Sequence, residues 1–192
     1  MESGNYQNNK IGDEDRSLSI MLKQELLRRK PEQLRSYPSR RIEGMLETDY
    51  TNIPYNPLVI LFDVGLKEEY YMRTVEVLYN ALYAFELRDS KLAIGFLEND
   101  TVSKHPVRGT CGKLKKITPE FKDVNVCSWE RIERFCKKNP STIFILDADT
   151  VAPSNDSLHL PYLRKNGIIL MTNCNEIPDF LQKQRVKTFI IA

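Results

Sequence analysis

The 192 residues are enough for one domain of ordinary size and a tail. Hydrophobic residues make up 41% and charged residues 28%, the composition of a soluble globular protein with a real core, and the net charge of +2 excludes a strongly polyanionic or polycationic chain. No apolar run approaches the roughly 18 residues needed to cross a bilayer, so no membrane partner is expected.

The charge is unevenly placed. From Arg16 to Arg41 there are eight Lys/Arg against two Glu, and from Lys104 to Lys122 six against one. Such stretches suit nucleic acid or an acidic partner, and they equally suit a solvated helix face. The basic positions singled out as nucleic-acid contacts are Arg28, Arg29, Lys30, Arg40, Arg41, Lys113, Lys115 and Lys116. The four cysteines (Cys111, Cys127, Cys136, Cys174) form no CxxC pair, and His105 and His159 lie far from any cysteine pair. They read as reduced thiols of an intracellular protein, with no metal site and no cofactor expected.

Residues 1–15 are polar and read as a disordered tail. Residues 16–56 form a basic, helical N-terminal arm, beginning with a helix from Ser17 to Lys30 whose apolar residues are Leu18, Met21, Leu22, Leu26 and Leu27. A short helix after Pro38-Ser39 follows, then a proline-bearing connector to Pro57. Residues 57–192 form an α/β domain. Its first strand, Leu58 to Phe62, leads into a long helix with Met72, Val75, Leu78, Tyr79, Leu82 and Phe85 at helical spacing. A strand Lys91 to Leu97, a long basic loop from Glu98 to Asn125 with room for one strand, and a helix Ser128 to Lys137 come next. Strand Thr142 to Leu146, a helix near Ser157 to Arg164, strand Gly167 to Met171, a helix near Ile177 to Gln184 and strand Lys187 to Ile191 complete the series. Short continuous β-rich runs separated by helices predict a three-layer α/β/α sandwich with a mostly parallel sheet, of the P-loop or AAA+-like kind.

In such a sheet ligands sit beyond the carboxyl ends of the strands. Three segments converge there: Asp63-Val64-Gly65-Leu66-Lys67, Asp147-Ala148-Asp149-Thr150 and Thr172-Asn173-Cys174-Asn175. A phosphate loop needs Gly-x-x-x-x-Gly-Lys-Ser/Thr, and here only Gly65 and Lys67 remain, followed by Glu68 and Glu69. Asp147 and Asp149 could hold a magnesium ion, but a cap or turn role is the plainer one; the same holds for Asp63. The candidate site is therefore a nucleotide site by position and empty by chemistry: Asp63, Gly65, Lys67, Asp147, Asp149 and Asn173. No constellation supports acid–base or covalent catalysis, so the chain is expected not to be an enzyme.

Taken in order, these segments resemble the AAA+-like domain of the origin recognition complex subunit 2 family. Ile60-Leu61-Phe62-Asp63-Val64-Gly65-Leu66-Lys67 stands where that family has a degenerate Gly-Ser-Lys turn. Phe96-Leu97-Glu98-Asn99 stands at its Asn-Gly turn, and Trp129 followed by Ile143 to Asp149 at its Trp-bearing helix and Asn-Leu-Asp strand end. Ile169 to Asn173 and then Pro178 to Leu181 mirror its last core strand. The likeness covers about Asn56 to Ile191; Leu66 replaces a serine and Asn173 an aspartate. It implies a non-catalytic subunit of a nuclear replication-initiation assembly, partnered by the other subunits and by double-stranded DNA.

Two other resemblances compete. Ala148-Asp149-Thr150 after an apolar strand, with a basic N-terminal arm, is similar to SPOUT-fold tRNA methyltransferases, which need a C-terminal knot for S-adenosylmethionine; the chain ends before one could form. The order of strands and helices also fits a von Willebrand A-like interaction domain. Its metal site needs Asp-x-Ser-x-Ser, of which Asp63 to Lys67 supplies the aspartate, leaving a metal-free interaction domain. The order of strands within the sheet separates the AAA+-like from the von Willebrand-like arrangement.

Overall fold

A computed structural model describes residues 13–29, 58–83, 92–98, 101–102, 107–109, 111–117, 120–122, 127–139, 141–151 and 158–191. Along the chain these form α1 (Asp13–Arg29), β1 (Leu58–Asp63), α2 (Glu68–Tyr83), β2 (Leu92–Glu98), β3 (Thr101–Val102) and β4 (Val107–Gly109). A 3-10 helix (Cys111–Lys116), α3 (Trp129–Lys138), β5 (Thr142–Asp147), α4 (Pro161–Asn166), β6 (Gly167–Thr172), α5 (Asp179–Lys183) and β7 (Thr188–Ile191) follow. The expected helix after Pro38 lies outside the described residues.

Five strands are parallel, in the order β2-β1-β5-β6-β7. The short β3 and β4 pair antiparallel with β2 and cover its outer edge. β1, β5 and β6 are buried along their whole length, which is why they read as unbroken apolar runs rather than alternating ones. Successive side chains still point to opposite faces. Leu58, Ile60, Phe62, Ile143, Ile145, Ile168 and Leu170 join α1 and α2 in one core, while Val59, Leu61, Phe144, Leu146, Ile169 and Met171 join α3, α4 and α5 in the other. The molecule is thus a three-layer α/β/α sandwich.

Connectivity explains the position of α1. The chain leaves β1 towards β2 through α2 on one face, then travels from β5 to β7 through α4 and α5 on the opposite face, as right-handed crossovers require. No crossover helix therefore falls on the α2 face above β6 and β7, whose Ile168, Leu170, Phe189 and Ile191 must still be covered. α1 packs on α2 and β7 and places Leu22 and Leu26, both buried, in that core. Its orientation is fixed by the Ser19 hydroxyl donating to Val77 O at 3.2 Å and by Arg73 Nε donating to Asp15 Oδ1 at 2.7 Å.

The expected N-terminal helix is present, with an earlier start. The helix begins at Asp13, four residues before Ser17, because Asp13, Glu14 and Asp15 favour a helix N-terminus and Asp15 has its partner on α2. The described part of the basic arm is helical, as expected, and packs into the core through Leu22 and Leu26. On α2 the buried stripe is Tyr71, Val75, Leu78 and Leu82, while Met72 is 59% exposed and Tyr79 half-buried. The stretch from Glu98 to Asn125 supplies β3, β4 and the 3-10 helix where one strand was expected. Tyr71 reaches across to it, donating to Ile117 O at 2.8 Å and lying edge-on to Phe121, and burial pushes its phenol up to about 12.

Leu22→Ala should destabilise the protein by about 2–4 kcal/mol, while Ile20→Ala on the same helix, at a residue 48% exposed, should change stability by less than about 0.5 kcal/mol. Urea unfolding of the full chain measures both. Equal, small effects would show that α1 does not belong to the core.

Candidate functional site

The direction of the chain reverses between β1 and β5, so the crevice at their carboxyl ends is where this fold would take a ligand. In this protein the crevice is closed from within. Asp63, the last residue of β1, is 1% exposed and accepts hydrogen bonds from Gly65 N–H at 2.8 Å, from Asp147 N–H at 3.4 Å and from the Thr150 hydroxyl. One carboxylate therefore ties its own turn to the turn after β5.

The neighbouring backbone is equally engaged. Val64 N–H donates to Leu97 O at 3.1 Å and Leu66 N–H to Asp63 O at 3.2 Å. With Gly65 N–H on Asp63, the three successive amides that would surround a phosphate already have acceptors inside the protein. Leu66, directly before Lys67 where a phosphate loop has glycine, is 1% exposed and packs in the α1–α2 core. Lys67 is exposed and its ammonium lies 5.9 Å from the centre of the Tyr70 ring, on the solvent side of the turn.

Asp147, Asp149 and Asn173 form the other half of the site. Asp147 Oδ1 accepts from Asp149 N–H at 2.9 Å and from Asn173 Nδ2 at 3.2 Å, and the Thr172 hydroxyl lies 3.4 Å from Oδ2. Asn173 Nδ2 also donates to Asp149 Oδ2 at 2.6 Å, so its amide bridges two carboxylates. This aim depends on a left-handed backbone (φ 59°), which asparagine tolerates better than most residues. Beside it, burial and the Asp147 carboxylate raise the pKa of Cys174, which removes thiolate character and with it nucleophilicity.

All six positions read from the sequence thus fall at the carboxyl ends. Asp63, Gly65, Asp147, Asp149 and Asn173 join one network, and Lys67 stands apart from it. The residue that sequence reading did not single out is Thr150, which joins the two halves. Its signal is its place three residues after Asp147, where a hydroxyl can close a turn. Among the described residues no group of three or more His, Cys, Asp or Glu side chains is arranged to hold a metal ion.

The basic candidates scatter. Arg28 is paired with buried Glu25 at 3.0 Å. Lys115 lies over the Tyr79 ring at 4.2 Å and 3.8 Å from Glu76. Lys116 is exposed, Arg29 and Lys113 lie within described elements, and Lys30, Arg40 and Arg41 lie outside the described residues. Compared with protein-family models, curated proteins and solved structures, the chain matches none.

Asp63→Asn turns an amide donor against groups that already donate, so it should cost about 2–3 kcal/mol in urea unfolding. Lys67→Ala should change stability by less than about 0.5 kcal/mol. If Asp63→Asn were as stable as the parent, the carboxylate would not be the tie described.

Proposed function

We propose that this chain is a non-catalytic protein-interaction domain of the von Willebrand A-like kind, engaging its partner through side-chain surfaces without a metal at the carboxyl ends of the strands. The observation that carries this reading is the closure of the β1–β5 crevice by Asp63 and Thr150, which engages the groups that would otherwise receive a ligand. The strand order supports it. β1 lies between β2 and β5, the parallel strands run on through β6 and β7, and a short antiparallel edge covers β2. Gly65 and Lys67 stand where the two serines of such a metal site would be, so the turn supplies no hydroxyl ligand after Asp63.

A place in a replication-initiation assembly would make the same demand, a site silent in nucleotide chemistry, and differs in the partner recovered. A pull-down from native extract with the full chain as bait, run with and without EDTA, separates these outcomes. A stoichiometric protein partner recovered equally in both conditions is expected. Recovery abolished by EDTA would overturn the metal-free reading, and recovery of origin recognition subunits would move the assignment to that assembly. Tight S-adenosylmethionine binding in calorimetry would overturn both.

A further inference from the structure

The two helical layers differ in charge. α1, α2 and the 3-10 helix packed on α2 hold seven Asp/Glu against eight Lys/Arg, whereas α3, α4 and α5 hold seven Lys/Arg against three Asp/Glu. On the α1–α2 side several charges are paired within the layer, Arg73 with Asp15 and Arg28 with Glu25. On the other side Glu133 is engaged with backbone, its two oxygens accepting from Tyr162 N–H and Leu163 N–H, each at 2.8 Å, and Glu130 is the exposed carboxylate of α3.

The cations gather on one surface. Trp129, Ile132 and Cys136 are the buried stripe of α3, which leaves Arg131, Arg134, Lys137 and Lys138 on its outer side at spacings of three and four. α4 lies alongside, held by Glu133 at its start and by Asn166 Nδ2 donating to Cys136 O at 2.9 Å at its end. Gly167 allows this close approach, since a Cβ there would stand 3.1 Å from Cys136 Sγ. Arg131, Arg134, Lys137, Lys138 and Arg164 are all exposed, and none makes an ion pair among the described residues. Between them Tyr162 is 39% exposed, with the Lys137 ammonium 5.6 Å from the centre of its ring.

We propose that the α3–α4 face binds single-stranded nucleic acid, with Arg131, Arg134, Lys138 and Arg164 meeting phosphates and Tyr162 stacking on an unpaired base. The choice of partner follows from the ring. Cations alone would serve any polyanion, but an exposed aromatic face beside a lysine offers a base a stacking surface and its phosphate a counter-charge at once. The surface is separate from the carboxyl-end site and does not depend on what that site does.

Fluorescence anisotropy of the full chain with a labelled oligo-dT of about 15 nucleotides tests this, at 50 and 200 mM salt. Binding should weaken by about 20–50-fold between those salt concentrations if three to four phosphates are met. The double variant Arg131→Ala, Arg134→Ala should lose at least about 5-fold at low salt. Tyr162→Ala should lose about 5–50-fold, with Tyr162→Phe close to the parent. Absence of binding at 50 mM salt, indifference to Tyr162→Ala, equal affinity for a duplex of the same length, or equal competition by poly-glutamate would each overturn the proposal. All the substituted side chains are exposed, so unchanged urea unfolding of the variants separates a binding loss from a folding loss.

Discussion

The carboxylate of Asp63 sits where a parallel sheet is weakest. At the switch point two neighbouring strands send their chains to opposite faces, and nothing in the backbone pattern holds their ends together. Asp63 bridges that gap by accepting from its own turn through Gly65 and from the far turn through Asp147 N–H and the Thr150 hydroxyl. Burying a carboxylate is costly unless donors surround it. Here neutral donors do so on each side, and Asp147 is treated in the same way by Asp149 N–H and Asn173. The pocket that a ligand would fill in an open sheet of this type is filled by the protein's own acceptors.

The same topology governs the layers. Because α4 and α5 connect β5 to β7 on one face, the α2 face above β6 and β7 lacks a crossover helix. Leaving Ile168, Leu170, Phe189 and Ile191 to water would forfeit about 1.5–3 kcal/mol for each fully buried side chain. α1 removes that exposure from outside the βα series, with Leu22 and Leu26 inward and Asp15 anchored on Arg73. It is therefore constrained by the sheet as strongly as any crossover helix.

Much of this architecture was legible in the sequence, because apolar runs such as Leu58-Val59-Ile60-Leu61-Phe62 and Thr142-Ile143-Phe144-Ile145-Leu146 state a buried parallel strand almost unambiguously. The convergence of Asp63, Asp147 and Asn173 followed from strand ends alone. The direction of their hydrogen bonds did not, since an aspartate after a strand looks the same whether it binds a metal or a backbone amide. Met72 misled for a related reason: periodicity gives a stripe but not its edges, and Tyr71, Val75, Leu78 and Leu82 fit the helix as well, with Tyr79 packed at the margin of the core. The start of α1 was hidden because its acidic first turn, read alone, looks like a polar tail. The cations of α3 and α4 escaped notice because they are interleaved with Glu130, Glu133 and buried apolar residues, so no window of sequence is strongly basic. Only the folded helices sort them onto one side.

A closed crevice also redirects where such a domain can act. Both faces of the sheet are covered and Asp63, Asp147, Asp149 and Asn173 are engaged with one another, which leaves the outer surfaces of the helices to meet solvent. Those surfaces differ in charge. A near-balanced face and a face with an excess of exposed cations give the domain an electrostatic direction, and complementary charge acts on orientation and encounter more than on final affinity. A partner meeting α3 and α4 would leave α1 and α2 pointing away from it. One sheet with two unlike helical faces thus presents two separate outer surfaces.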